Sequence, residues 1–193
     1  MQSNPQIDIL TVHGSLKDAK QAESLTVISI DPAPYNMGVA VELRTPRLVR
    51  TVYLNRVSFN TGIYNGAYGL FAAVTEFFDE LLVKLSGDSY LVLIEKQFKV
   101  SELNVAIMSF LVGYFSRRCT CCALVHPRLK SKIYSIPKGS KNVKSIVSAE
   151  YKKLCAERRD TYALRRLEEL SLSGKTDDVT DAGCMIEAVL GVR

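Results

Sequence analysis

The stretch "SLTVISIDPAPYNMGVAVEL", residues 24–43, holds two strand-like runs around a turn. Leu25 to Ile30 is rich in Val and Ile and runs straight into Asp31. Met37 to Leu43 alternates and is β-branched. Between them "DPAPYN" supplies two prolines and an asparagine, all turn formers. A third run, "LVRTVYLNRV" from Leu48 to Val57, follows the "RTPR" turn. Three strands with short connections form an antiparallel meander. The oddity is Asp31, because an apolar strand seldom ends on an ionised carboxylate unless something pairs with it.

Beyond the Gly/Asn-rich loop "NTGIYNGAYG", apolar residues recur at helical spacing from Tyr68 to Leu85 (Leu70, Phe71, Val74, Phe78, Leu81, Leu85). "SYLVLIE" reads as a fully apolar fourth strand ending on Glu95. Ser101 to Arg117 reads as a helix that is apolar on nearly all sides, which implies burial in a core or against a partner subunit. "CTCCALVHP" is a fifth strand, and "RLKSKIYSIPKGSK" a basic loop. Helices are expected from Asn142 to about Glu157, from Thr161 to Leu172, and from near Asp178 onward. Strands first and then alternating helices and strands give one α/β domain over residues 25–193, with a mixed five-stranded sheet flanked by helices. The first 24 residues read as a polar leader outside it, mobile unless tied down.

At 193 residues, 47% hydrophobic and 23% charged, the chain is long and apolar enough for a substantial core. Its apolar runs are too short for a membrane span, and its start lacks the cationic and apolar segments of a signal peptide. Five cysteines, an odd number without a secretion signal, argue for reduced thiols in an intracellular setting. "CTCC" lacks the two-residue gap of a zinc knuckle, and no second Cys/His pair stands at a useful distance, so these read as buried thiols. The formal net charge is +5, and ten Lys/Arg against two acids fall between Arg128 and Arg159. So basic a block fits a polyanion, either nucleic acid or an acidic membrane surface.

Acids recur where strands end and where the last helix begins. Asp31 and Glu95 each close a strand. Asp178 and Asp181 sit three apart, so one helical turn points both the same way. Each has a plainer explanation: Asp31 before Pro32 can start an Asx turn, Glu95 beside Lys96 can be an exposed edge residue, and Asp177 or Asp178 can cap a helix. Their joint occurrence in this order is what carries weight. Four clustered carboxylates repel one another and are tolerable only around cations. Oxygen-only ligands favour Mg²⁺, with Mn²⁺ a fair substitute, and two such ions can clamp a scissile phosphodiester. Acids for metals and a basic block for a phosphate backbone together fit the cutting of nucleic acid.

"ISIDPAPYNMGVAV", "LVLIEKQF", "GSKNVKSIV" and "TDDVTDAGCMIEA", in that order, resemble the RuvC-type Holliday junction resolvases, most closely their poxvirus and mitochondrial branch. The resemblance spans Leu25 to Arg193 and implies an RNase H-like fold. It implies a metal-binding, catalytic tetrad of Asp31, Glu95, Asp178 and Asp181, with two Mg²⁺ per site. Asp177 matches an extra acid that some members carry. Lys141 looks like the lysine that contacts the scissile phosphate; Lys144, one turn later, is a second candidate. Lys138 in the same basic loop, with Phe98 where bacterial members place an aromatic near the crossover, completes the expected DNA-binding set. The turn after Asp31 departs from the family's D-x-G, since Pro32 and Ala33 follow it and glycine comes only at Gly38.

Family members are homodimers, and a two-fold enzyme matches a two-fold junction. Leu103, Ile107, Phe110, Leu111 and Tyr114 are the expected interface residues. The reading is therefore a structure-specific endonuclease acting on branched DNA, the four-way junction. Its rivals are another RNase H-like nuclease, cutting flaps or RNA–DNA hybrids, and a non-catalytic junction binder. A sugar-kinase or actin-like ATPase would need two related domains and a second phosphate loop.

Overall fold

The structure, a computed structural model, describes residues 8–59, 66–85, 89–98, 101–137, 140–172, 174 and 176–191. Lys138 and most of the Gly/Asn-rich loop lie outside the described residues. The elements in chain order are β1 (Ile9–Gly14), α1 (Leu16–Gln21), β2 (Leu25–Asp31), β3 (Met37–Arg44), β4 (Val49–Val57), α2 (Gly66–Lys84), β5 (Tyr90–Glu95), α3 (Glu102–Phe115), β6 (Cys121–Val125), α4 (Arg128–Ile133), α5 (Val143–Glu157), α6 (Thr161–Leu172) and α7 (Asp177–Leu190).

One sheet runs in the order β1-β6-β5-β2-β3-β4. β2, β3 and β4 form the expected antiparallel meander, while β2, β5 and β6 run parallel. The sheet has six strands rather than five. The added one, β1, lies within the segment read as a polar leader and pairs antiparallel with β6. An edge strand is held by its backbone ladder; β1 exposes five of its six residues, so it carries no buried apolar alternation to read. α1 follows, capped by Ser15, whose hydroxyl accepts from the Asp18 amide.

β2 and β5 are buried on both faces, and each face has its own apolar layer. On one side Ile28, Ile30, Val92 and Ile94 pack with Phe78 of α2 and Ile107 and Leu111 of α3. On the other, Val27, Leu91 and Leu93 pack under α5, α6 and α7 through Tyr151, Leu167, Met185 and Ile186. Ile107, Leu111 and Tyr114, expected at a subunit interface, are buried in the first of these layers. Of the expected interface residues only Leu103, 38% exposed, and half-buried Phe110 reach the surface of α3. Cys121, Cys122, Cys155 and Cys184 are buried and Cys119 is half-buried, all as free thiols.

α7 lies against β2 and β3. The Ser29 hydroxyl donates to the Ala182 carbonyl at 2.7 Å, pinning the helix across β2. Gly183 faces Tyr151 so closely that a Cβ there would stand 2.2 Å from the ring. No helix among the described residues is long and apolar enough to cross a membrane.

Candidate active site

Asp31 ends β2 and Glu95 ends β5. The strands are parallel neighbours with Ile30 opposite Ile94, so both carboxylates emerge side by side at one end of the sheet. α7 starts above the same end. Its first residue is Asp177 and its N-cap is Thr176, which makes no side-chain cap bond; the acids here are not caps. Asp31, Glu95 and Asp181 each offer an oxygen, all within 4.8 Å of one another. Asp178, on the same face of the helix, falls outside that group and is half-buried.

Gly38 makes this approach possible. It lies opposite Asp31 in the β2–β3 ladder, and a Cβ on it would stand 2.0 Å from the Asp178 carbonyl oxygen. The glycine that comes late in the turn is thus the one that lets the helix start against the sheet. Gly38→Ala should lift the first turn of α7, costing about 1–3 kcal/mol and weakening divalent-ion binding. Thermal denaturation with and without Mg²⁺ reads both, and a variant that melts with wild-type would refute the packing.

Burial and then the Glu95 charge push the Asp31 carboxyl well above its usual range; Asp181 and Asp178 add to this and Lys130 opposes it. Glu95 is likewise raised, chiefly by burial. Asp178 is raised by burial and eased by Lys144. Carboxylates in this state bind cations because a cation relieves both the desolvation and the repulsion.

Among the described residues, one cation of the chain bonds into the cluster. Lys130 of α4, 6% exposed, donates from Nζ to Glu95 Oε2 at 2.7 Å and stands 3.2 Å from Asp181 Oδ1. Burial works against its charge, but Glu95 and Asp181 outweigh it and hold the ammonium above its ordinary value. Lys130 lies in the segment expected to be a loop; Arg128–Ile133 is a single short helix, too brief for periodicity to show. Gln97 was missed as well. Its Nε2 donates to Asp31 Oδ1 at 3.3 Å, and its Oε1 accepts from Asn104 Nδ2 of α3 at 3.5 Å. Its place two residues after the strand-end acid was the available signal.

The other expected residues among the described ones are exposed. Lys144 is exposed, 3.7 Å from Asp177. Lys141 is exposed just before α5. Phe98 is 46% exposed and meets His126 edge-on at 5.2 Å between centroids. The basic block does not act as one surface. Lys130 is in the acid cluster, Arg158 turns inward to buried Glu187, and Arg128 and Lys132 pair with Asp8. Lys141, Lys144, Lys152 and Lys153 stay exposed on and before α5.

Solved structures share this architecture. Fowlpox virus Holliday junction resolvase matches with a TM-score of 0.59 at 16% identity, over 86% of this chain and 99% of that one. The Thermus thermophilus RuvC in complex with Holliday junction substrate matches with a TM-score of 0.53 at 14% identity, over 86% and 91%. The fold is that of a RuvC-type resolvase. It is RNase H-like, as the ordered motifs implied, with one strand more than expected. No protein-family model and no curated protein matches the chain.

Three carboxylates of this spacing, with no nitrogen or sulfur among them, suit a hard divalent cation. The donor set therefore fits a metal of the Mg²⁺ or Mn²⁺ kind.

Proposed function

We propose that the chain is a Mg²⁺-dependent endonuclease that resolves four-way DNA junctions by paired, symmetric cuts leaving ligatable nicks. The observation that carries it is the convergence of Asp31 and Glu95, at the ends of two parallel strands, with Asp181 of α7, near Lys144 at the start of α5. Fold likeness to resolvases solved with junction DNA supports the choice of substrate.

Asp31, Glu95 and Asp181 are the residues that would hold the ion, and Asp178 is the acid available to a second one. Bound there, the metal supplies an activated water and offsets the charge building on the scissile phosphate. Gln97 fixes the Asp31 carboxylate by occupying one lone pair of Oδ1. Lys144, whose charge acts on Glu95 and Asp178, and Lys141, exposed just before α5, bind the flanking phosphates, with Lys138 in the same basic segment of the sequence. Such contacts give affinity and salt dependence, while selectivity comes from junction shape. Phe98, half in solvent, would stack on an unpaired base at the crossover; its exposure supports that reading. A homodimer would place two such sites on one junction, and Leu103 and Phe110 with the groove beside Tyr68 and Phe71 offer its contact face.

One observation favours a second reading, a junction binder that does not cut. Lys130 already engages two of the three acids. A synthetic mobile junction incubated with Mg²⁺ or with EDTA, both strands mapped, separates the two. We expect paired symmetric nicks in Mg²⁺ only. Binding without cutting would favour the second reading, and preferential cutting of flaps or RNA–DNA hybrids would move the substrate.

A further inference from the structure

We infer that the Lys130 ammonium is the built-in counter-ion of the metal-free site, exchanged out of the carboxylate cluster when a divalent cation enters. This rests on the reading of Asp31, Glu95 and Asp181 as metal ligands.

Three facts lead to it. First, Lys130 is 6% exposed, so its charge is not held by solvent; it is held by Glu95 Oε2 at 2.7 Å and Asp181 Oδ1 at 3.2 Å. Buried lysines are stable only with partners of this kind. Second, those oxygens belong to the carboxylates that converge within 4.8 Å. A carboxylate that accepts from an ammonium is a weaker metal ligand, so lysine and metal compete for the same two carboxylates. Third, among the described residues no other lysine is bonded into the cluster; Lys144 acts on Glu95 and Asp178 only through its charge. Lys144 is 66% exposed and pairs with Asp177, and Lys141 is exposed. Among the described residues, Asp31 accepts from the neutral amide of Gln97.

Removing the ammonium should have two opposite effects. The metal-free protein loses the charge that offsets three clustered acids, and the metal gains carboxylates it no longer shares. A structural pair that stays closed when metal binds would show only the first effect. A lysine that assists the metal would show weaker metal binding on removal. The sign of the change in metal affinity therefore decides.

The test uses the whole chain and Mn²⁺ alone, without DNA. Lys130→Met keeps the aliphatic stem and drops the charge. In EDTA its Tm should fall below wild-type. Its Mn²⁺ dissociation constant, by calorimetry or by the signal of free Mn²⁺, should be lower by on the order of 10-fold, the usual size of coupling between two ligands. Lys153→Met, an exposed lysine on α5, should match wild-type in both. Unchanged or weaker Mn²⁺ binding in Lys130→Met overturns the exchange while leaving the metal site intact. Absence of Mn²⁺ binding to wild-type overturns the metal reading and the exchange with it. Should Lys130→Met fold only with metal, nitrogen-15 NMR of the wild-type lysine ammonium groups gives the answer. The Lys130 signal in EDTA should shift or vanish at saturating Mg²⁺, and an unmoved signal overturns the proposal.

Discussion

Asp31→Asn is expected to lower Mg²⁺-dependent junction cleavage by about 10³-fold or more while leaving junction binding near wild-type. Metal coordination supplies several kcal/mol to a phosphoryl transition state, and each tenfold in rate is about 1.4 kcal/mol. The amide keeps the volume of the carboxylate and can still accept from Gln97. It loses the charge that a cation needs. The same change should stabilise the metal-free protein, because Asp31 is a burden to the fold when ionised. Burial first and Glu95 second raise its carboxyl above the ordinary value of 3.8. For an acid with a raised folded-state pKa, the contribution to stability is full below the unfolded value and is lost as pH climbs through the folded one. In EDTA, wild-type Tm should therefore fall from pH near 4 toward neutrality, with Glu95 contributing in the same direction. Asp31→Asn should flatten that slope. Cleavage assays, gel shifts and denaturation across pH in EDTA read all three. A variant that cuts normally removes Asp31 from the catalytic centre. One that also loses binding shows that the side chain serves the DNA surface or the fold instead.

The acids were legible because they break a strong local rule. A Val/Ile-rich strand ending on Asp31 and another ending on Glu95 announce partners, and parallel neighbours deliver their ends to one place. Asp181 followed from helical spacing. Asp178 lies outside the group that converges within 4.8 Å, though its charge still acts on Asp31; three residues along the helix axis separate it from Asp181 by about 4.5 Å. Lys130 was invisible for a different reason. A six-residue helix carries no period, and one lysine among ten basic residues gives no sign of being the buried one. β1 escaped because an edge strand needs backbone partners, not buried side chains. The basic block was read as a surface because a charge count is blind to pairing. Arg158 is the clearest instance, since its guanidinium turns inward to meet acids more than twenty residues away in sequence.

That inward turn sets the largest expected effect on stability, from Glu187→Ala. Glu187 is fully buried in the last turns of α7. Its Oε1 accepts from Arg158 Nη1 at 2.7 Å and its Oε2 from Arg158 Nη2 at 2.6 Å, while Arg44 of β3 donates a further bond to Oε1. Arg44 also donates from Nε to Glu42 Oε2 at 2.8 Å. Burial pushes the Glu42 carboxyl up to about 7 against the pull of Arg44. Two acids and two guanidiniums thus balance inside the protein and join β3, the end of α5 and α7. Truncating Glu187 leaves both guanidiniums short of a partner at 5% and 11% side-chain exposure. Breaking a buried pair this way costs about 3–5 kcal/mol. At about 2–4 °C per kcal/mol for a chain of this size, Tm should fall by roughly 10 °C. The cause can be checked against simple loss of volume. Replacing Glu187 and Arg158 together by leucine leaves Glu42 and Arg44 to neutralise each other, and apolar replacement of buried pairs is often neutral. The double variant should recover most of the lost Tm. Recovery identifies the stranded charge as the cost; a double variant as unstable as Glu187→Ala would assign it to packing of α7, and a single variant melting within 2 °C of wild-type would show the network to be dispensable. Because α7 carries Asp181 at its other end and is pinned across β2 through Ala182, the destabilised variant should lose Mg²⁺-dependent cleavage well below the temperature at which it melts.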